Sequence, residues 1–140
     1  MTAQPNQGPT TGLTPHLNIP DKRAVEAIEF YVKAFDATEQ LRIPTEDGER
    51  LMHAHILVNG ASLLMHDDFP EHTGGPMPPP SGVVLHLQVD DADTWYKRAV
   101  SAGATATMPP QDMFWGDRYG QLRDPFGHVW SIGSRIGEQE

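Results

Sequence analysis

Two histidines occupy the first position of a short sequence motif that occurs twice in the chain. Residues 16–19 are His-Leu-Asn-Ile and residues 86–89 are His-Leu-Gln-Val. This alternation of polar and apolar residues is typical of a half-buried strand and turns His16 and His86 to the polar face. An imidazole in such a position can bind a divalent transition metal or move a proton. The repeated motif indicates an internal duplication, so we expect the two histidines to lie in one site.

Further polar residues follow the same alternation. Asn18 and Gln88 share the strand face of the repeated histidines, and His53 and His55 share one face of a later strand. By the same parity His66 can also lie on that side. Such a group of imidazoles is able to bind Zn²⁺ or Ni²⁺. The alternative, which the sequence favours for these three histidines, is that strand alternation merely turns polar side chains to the wetter face.

An aromatic pair and an arginine complete the predicted binding surface. Phe114 and Trp115 lie in a loop between two strands of the second half, where they can close over a small ligand or pack on the sheet edge. Arg118 can bind an anionic group through two parallel hydrogen bonds. It can equally form a structural salt bridge with Asp117 or Asp124.

Two copies of one supersecondary unit must position these residues. Each half has the order strand–helix–strand–strand–strand, which predicts an α+β fold of tandem βαβββ modules with mixed sheets. We expect each helix to cover one sheet face and the uncovered faces to form a curved cup lined by the polar positions. The expected boundaries are a flexible segment 1–12, one domain 13–135 made of modules 13–68 and 83–135 with the linker 69–82, and a tail 136–140.

Local patterns give expectations for single elements. Asp21 is predicted to be the N-cap of the first helix. Trp95 lies on the predicted apolar stripe of a helix over residues 92–102 and is expected in the core. Residues 67–82 are rich in proline and glycine, which predicts neither helix nor strand there. A loop is expected through Pro109-Pro110 after a short strand.

Composition excludes several classes of function. The 140 residues include 19 acidic and 10 basic side chains, and the net charge of −9 disfavours a nucleic-acid backbone or a membrane surface as partner. There is no cysteine, so neither disulfides nor thiolate chemistry are available. No apolar run approaches the roughly 18 residues of a membrane-spanning helix, and the polar N-terminus lacks the pattern of a signal peptide. We therefore expect a cytoplasmic protein.

Six motifs occur together along the chain. They lie at residues 14–17 (Thr-Pro-His-Leu), 27–31 with 34–35, 52–54, 99–104, 115–120 (Trp-Gly-Asp-Arg-Tyr-Gly) and 124–130 (Asp-Pro-Phe-Gly-His-Val-Trp). In these motifs the chain resembles the vicinal oxygen chelate superfamily, which includes glyoxalase I, fosfomycin-resistance proteins, extradiol dioxygenases and bleomycin-binding proteins. Within that superfamily it is most similar to the PhnB-like group. The resemblance covers nearly all of residues 13–133 and implies tandem βαβββ modules, a ligand cup and a homodimer.

The resemblance also implies a place for a metal. Superfamily enzymes hold a divalent metal with side chains from the first and last strands of each module, which here correspond to His16 with Leu64 and to His86 with Ser131. The last of these positions is usually glutamate in metal-binding members. Serine is a poor ligand for a divalent ion and leucine is none, whereas a catalytic metal usually has at least three protein ligands.

The sequence therefore favours a protein that binds a small molecule in the cup between its modules, without a complete metal site and with no certain cofactor. Whether it is an enzyme is left open. The alternative is a lyase, isomerase or transferase that depends on Zn²⁺, Ni²⁺, Fe²⁺ or Mn²⁺ held by His16 and His86. The predicted cup residues are His16, Asn18, His53, His55, His86, Gln88, Phe114, Trp115, Arg118 and Ser131.

Overall fold

The computed structural model describes residues 8–137, in which eight strands and three helices follow one another. They are β1 His16–Ile19, α1 Ala24–Phe35, β2 Thr38–Pro44, β3 Leu51–Val58, β4 Ala61–Asp67, α2 Pro70–Thr73, β5 Val84–Gln88, α3 Ala92–Ala102, β6 Thr105–Asp112, β7 Asp117–Arg123 and β8 Val129–Arg135. The predicted α+β class and the tandem βαβββ modules are confirmed. Most of the predicted flexible segment 1–12 and most of the tail 136–140 lie outside the described residues.

The contacts divide the chain into two compact units. The first contains the residues up to Val32 together with Ala37–Met77. The second contains Lys33–Asp36 and the residues from Pro78 onward. None of the helices in the described part of the chain is both long and apolar enough to span a bilayer.

Each unit contains one four-stranded sheet of the same topology. The strand order is β1-β4-β3-β2 in the first sheet and β5-β8-β7-β6 in the second. In each sheet the first strand runs parallel to the last, and the other neighbours are antiparallel. His16 lies beside Leu64, and His86 lies beside Ser131. The two copies of the repeated motif therefore occupy equivalent positions in the strand register.

The start of α1 is fixed by a residue distant in sequence. Asp21 is not the N-cap, because it lies in a left-handed turn with φ of 62° and the helix begins only at Ala24. The Ala24 N–H instead donates to the buried carboxylate of Asp67, at 2.9 Å. The other oxygen of Asp67 accepts from the Leu51 N–H at 2.6 Å, so one side chain joins three elements. A cap supplied from β4 leaves no local sequence pattern, which is why the prediction was wrong.

The buried face of α3 also differs from the prediction. Ala92, Tyr96 and Ala99 are the buried residues of this helix, and Trp95 is only partly buried. The Trp95 indole N–H donates to Asp90 at 3.2 Å, near the surface. Tyr96 fits the core better because its hydroxyl reaches the Gln121 carbonyl, at 2.9 Å, and so leaves no buried polar group unpaired.

Two proline-rich segments have regular structure where none was expected. Helix α2 forms within residues 67–82 and has proline in its first turn, where the missing N–H is not needed. Strand β6 continues through Pro109-Pro110 instead of ending in a loop. It is the edge strand of its sheet, and its register with β7 shifts between Met108 and Gln111. Edge strands with such irregularities tolerate proline because they need fewer ladder hydrogen bonds.

Candidate functional site

The polar face of the second sheet is centred on His86. We call it the His86 face, formed by His86, Gln88, Tyr119, Gln121 and Ser131. The Nδ1 atom of His86 lies 2.7 Å from Ser131 Oγ, and the Nε2 atom lies 2.7 Å from Gln88 Oε1. An amide oxygen only accepts, so His86 Nε2 donates to Gln88. Both ring nitrogens are therefore engaged, Nε2 by Gln88 and Nδ1 by Ser131, and the orientation of the imidazole is fixed.

Aromatic rings extend this face. The His86 and Tyr119 rings stack with centroids 5.8 Å apart and 16° between their planes. The Tyr119 hydroxyl accepts from Gln121 Nε2 at 3.0 Å. Trp115, half exposed, meets the Tyr119 ring edge-on at 5.5 Å, and Phe114, 96% exposed, meets Trp115 at 5.0 Å. The structure thus brings the predicted Trp115 beside the His86 face and leaves Phe114 at its outer end.

Glycine creates the space that His86 occupies. A Cβ atom added at Gly133 would lie 3.0 Å from Cε1 of His86 and 3.4 Å from Oε1 of Gln88. We predict that Gly133→Ala displaces the imidazole while the protein stays folded, because the neighbours are side chains that can move. The check is the chemical shift of the His86 Cε1–H in NMR spectra. An unchanged shift would contradict the prediction.

Tyr119 and Gln121 were missed by sequence reasoning. Tyr119 lies in the 115–120 motif, which assigned it no role, and Gln121 lies in none of the six motifs. The strand alternation could have indicated both residues, because in β7 they alternate with the buried Gly120 and Leu122. The same parity corrects the prediction for Arg118.

Arg118 lies on the other face of the sheet and is not part of the His86 face. Its Nε donates to Asp93 of α3 at 3.0 Å, and its Nη1 donates to Asp112 at 3.1 Å. These hydrogen bonds raise the pKa of Arg118. Both acidic partners differ from the Asp117 and Asp124 considered from the sequence. The structure therefore places Arg118 in salt bridges, the alternative to ligand binding that the sequence left open, with α3 supplying one of the carboxylates.

The polar face of the first sheet is rich in imidazoles. We call it the His16 face, formed by His16, Asn18, His53 and His66. The His16 ring centroid lies 4.9 Å from that of His66 and 6.0 Å from that of His53. Burial lowers the pKa of His16, and the nearby His66 and His53 lower it further. His66 Nδ1 lies 2.7 Å from the Asp67 carbonyl, which only accepts, so Nε2 keeps its lone pair.

Asn18 and His55 are both held by neighbours. Asn18 donates from Nδ2 to Asp68 at 3.1 Å. His55 is 2% exposed, and its Nε2 lies 2.8 Å from Ser62 Oγ, whereas no protein atom in residues 8–137 hydrogen-bonds its Nδ1. Burial lowers the pKa of His55, and His53 adds to the effect. His55 therefore shares the parity of His53 but is packed away from solvent.

The lowered pKa values of His16 and His55 predict that acid destabilises the protein. In the folded state the pKa values of His16 and His55 lie below the ordinary histidine value of 6.5, so the unfolded chain binds protons first as the pH falls. The stabilisation is complete above about pH 6.5 and is lost as the pH falls through that value toward the folded-state pKa. We expect a lower urea midpoint at pH 5.5 than at pH 7.5, and a smaller difference in His55→Gln. An equal difference in the variant would contradict the role of His55.

The donors do not fit the metal that the resemblance implies. Leu64 has no donor atom, and Ser131 is engaged with His86, both of whose nitrogens are hydrogen-bonded. Among residues 8–137 no three histidine, aspartate or glutamate side chains are arranged so that they could hold a metal ion. The chemistry of this donor set is that of hydrogen bonding and ring contacts.

The tandem modules and the register of their first and last strands define a protein of the glyoxalase class. The chain belongs to the Glyoxalase/Bleomycin resistance protein/Dioxygenase superfamily, whose family model matches residues 14–132. It is 46% identical over 131 residues to the protein Mb0911c of Mycobacterium bovis, covering 90% of this chain and 84% of that protein.

Solved structures share the fold. PA1353 from Pseudomonas aeruginosa has a TM-score of 0.74 at 23% identity, covering 90% of this chain and 98% of that one. A PhnB protein from Bacillus cereus, described as a putative 3-demethylubiquinone-9 3-methyltransferase, has a TM-score of 0.70 at 20% identity, covering 89% and 99%. The predicted superfamily and its PhnB-like neighbours are thus confirmed.

Proposed function

We propose that this protein binds a small organic molecule on its polar sheet faces, chiefly the His86 face, without a metal. The observation that carries the proposal is the fixed imidazole of His86, held by Ser131 and Gln88 and stacked on Tyr119. A rigid ring beside a few polar groups is the usual composition of a small-molecule site. Because the ring is already oriented, little conformational entropy is lost when a ligand binds.

The His86 face is suited to binding rather than to covalent chemistry. Ser131 is 1% exposed, so its hydroxyl is not presented to a substrate as a nucleophile. The Tyr119 hydroxyl accepts from Gln121 and keeps its own hydrogen for a ligand acceptor. Trp115 supplies a half-exposed ring for apolar contact. In this proposal the protein is a cytoplasmic homodimer, and light scattering at micromolar concentration tests the dimer.

Binding can be tested with small aromatic probes. We expect indole, quinoline or benzoate to give saturation-transfer NMR signals with the full chain. The affinity derived from these signals should fall up to about tenfold in Tyr119→Ala, since a stacked ring contributes up to about 1.5 kcal/mol. His72→Ala, at a mostly exposed histidine, is the matched control and should bind as the wild type does. Probe binding that is equal in both variants would remove the His86 face from the proposal.

A metal-dependent lyase, isomerase or transferase is the competing proposal. The imidazoles of the His16 face favour it, because the lowered pKa of His16 favours the neutral ring that metal binding requires. The hydrogen bond of His66 Nδ1 to the Asp67 carbonyl leaves its Nε2 as the nitrogen that could bind a metal. Against it stand Leu64 and Ser131 at the positions of the remaining ligands.

Elemental analysis separates the two proposals. Protein is incubated with Zn²⁺, Ni²⁺, Fe²⁺ or Mn²⁺, desalted and analysed, together with His16→Ala and His86→Ala. We expect far less than one metal per chain in all three proteins. One metal per chain that is lost in both variants would overturn metal-free binding in favour of metal-dependent chemistry.

A further inference from the structure

A separate cleft of about 550 Å³ lies in the first unit. That volume is in the range of small-molecule sites. None of its lining residues belongs to the His16 face or the His86 face. We call it the Asp68 cleft; its lining is formed by the turn after β1, by Arg50 before β3 and by the segment around α2, with the residues Pro20, Asp21, Lys22, Arg50, Asp68, Pro70, Glu71, Pro76 and Met77.

The basic groups of the cleft already have acidic partners. Arg50 binds Glu71 through both terminal nitrogens, at 2.7 and 3.1 Å, and its guanidinium lies 4.3 Å from the centre of the Phe69 ring. The hydrogen bonds from Arg50 hold the pKa of Glu71 at about 2, so this carboxylate stays charged and paired. Lys22 binds Glu49 at 3.0 Å. An anionic ligand would have to compete with these carboxylates.

Two carboxylates of the cleft form no ion pair with any residue between positions 8 and 137, although Arg50 Nη1 donates to the backbone carbonyl of Asp68 at 3.4 Å. Asp68 is only 7% exposed, and its oxygens accept from two neutral donors, the Asn18 amide at 3.1 Å and the Met77 N–H at 2.9 Å. Asp21 is exposed and forms no hydrogen bond or ion pair with any residue between positions 8 and 137. A nearly buried carboxylate without a countercharge is unfavourable, and a bound cation would offset that cost.

The backbone conformation around Asp21 differs from that of the equivalent connection in the second module. Asp21 and Lys22 are consecutive non-glycine residues in the left-handed region, with φ of 62° and 60°. The equivalent connection of the second module, residues 89–91, contains no residue with positive φ. Left-handed conformations of this kind are unfavourable and concentrate at functional sites. Here they belong to the turn that carries the unpaired carboxylate.

We propose that the Asp68 cleft binds a small organic ammonium ion. The ammonium group is attracted by the carboxylates of Asp21 and Asp68, and the carbon chain contacts the proline rings and Met77 of the lining. This site is distinct from the proposed function of the sheet faces and does not depend on it. A neutral molecule lacks the attraction, and a carboxylate of the same size is repelled.

The test uses n-butylammonium chloride and the full ¹⁵N-labelled chain. The reporter is the Met77 amide, because its hydrogen bond to Asp68 responds to a charge bound at that carboxylate. We expect a saturable shift of this NMR signal with n-butylammonium and none with sodium butyrate. No saturable shift, or the same shift with both ions, would overturn the proposal.

Aspartate variants locate the binding. Asp21→Asn should weaken the affinity about two- to fivefold, as expected for loss of one exposed charge pair, and Asp21→Lys should weaken it about tenfold or more. Asp36 is the control, since it is also an exposed aspartate with positive φ, of 57°, and does not line the cleft. Unlike Asp21 it has a basic neighbour, because its carboxylate lies 3.7 Å from Arg98 Nη2. Asp36→Asn and Asp36→Lys should bind as the wild type does. If the Asp21 and Asp36 variants lost the same affinity for n-butylammonium, the effect would come from net charge alone, and the proposed site would be overturned.

Discussion

Asp67→Ala is expected to lower the free energy of unfolding by about 3 kcal/mol, because two buried N–H groups lose a charged acceptor. The carboxylate is 1% exposed and binds the N–H groups of Ala24 and Leu51. Its loss frees the start of α1 from β4 and the start of β3. The measurement is the urea unfolding of the purified chain followed by circular dichroism.

The second module contains a matched control for this variant. Ser134 occupies the equivalent place, where its hydroxyl accepts from the Ala92 N–H at 3.0 Å. One neutral hydrogen bond is worth about 1 kcal/mol, so Ser134→Ala should cost about a third as much. If both variants lost the same stability, the charge and the second hydrogen bond of Asp67 would contribute nothing.

Gly120→Ala is expected to cost about 2–3 kcal/mol through overpacking. A Cβ atom at this position would lie 2.8 Å from the Met108 carbonyl oxygen and 2.9 Å from the Pro110 nitrogen, both of which are backbone atoms. The two prolines of β6 restrict the backbone that would have to move. The measurement is again the free energy of unfolding from urea titration.

Gly137→Ala is the control for Gly120→Ala, because a Cβ atom there meets nothing within 4 Å. It should change stability by less than about 0.5 kcal/mol. Equal effects of the two variants would show that β6 moves away from β7 without cost, contrary to the close backbone contact.

The parts of the fold that repeat were the parts that the sequence could predict. The resemblance implied Leu64 and Ser131 as the last-strand partners of His16 and His86, and the strand register places each pair side by side. Such a register is strongly specified, because the strand period is two and a slip of one residue would move every apolar side chain to the wrong face.

The misses have a common physical origin in contacts between distant segments. The cap of α1 comes from Asp67, and the partner of Arg118 comes from α3, and neither leaves a trace in the neighbouring sequence. Trp95 and Tyr96 are adjacent and both aromatic, and the contact that favours burial of Tyr96, its hydrogen bond to the Gln121 carbonyl, comes from a distant strand. Tyr119 likewise belongs to the His86 face because its ring in β7 stacks on the ring of His86 in β5.

The two modules differ at one further matched position. Gln88 lies beside Gly133, whereas Asn18 lies beside His66. Gly133 has no side chain, and the ring of His86 lies next to the space that this leaves. At the matched position of the first module, the ring of His66 contacts the ring of His16. Although the chain is built from duplicated halves, these surfaces have diverged and are no longer interchangeable. A molecule recognised by His86 and Tyr119 should therefore saturate at one equivalent per polypeptide rather than two.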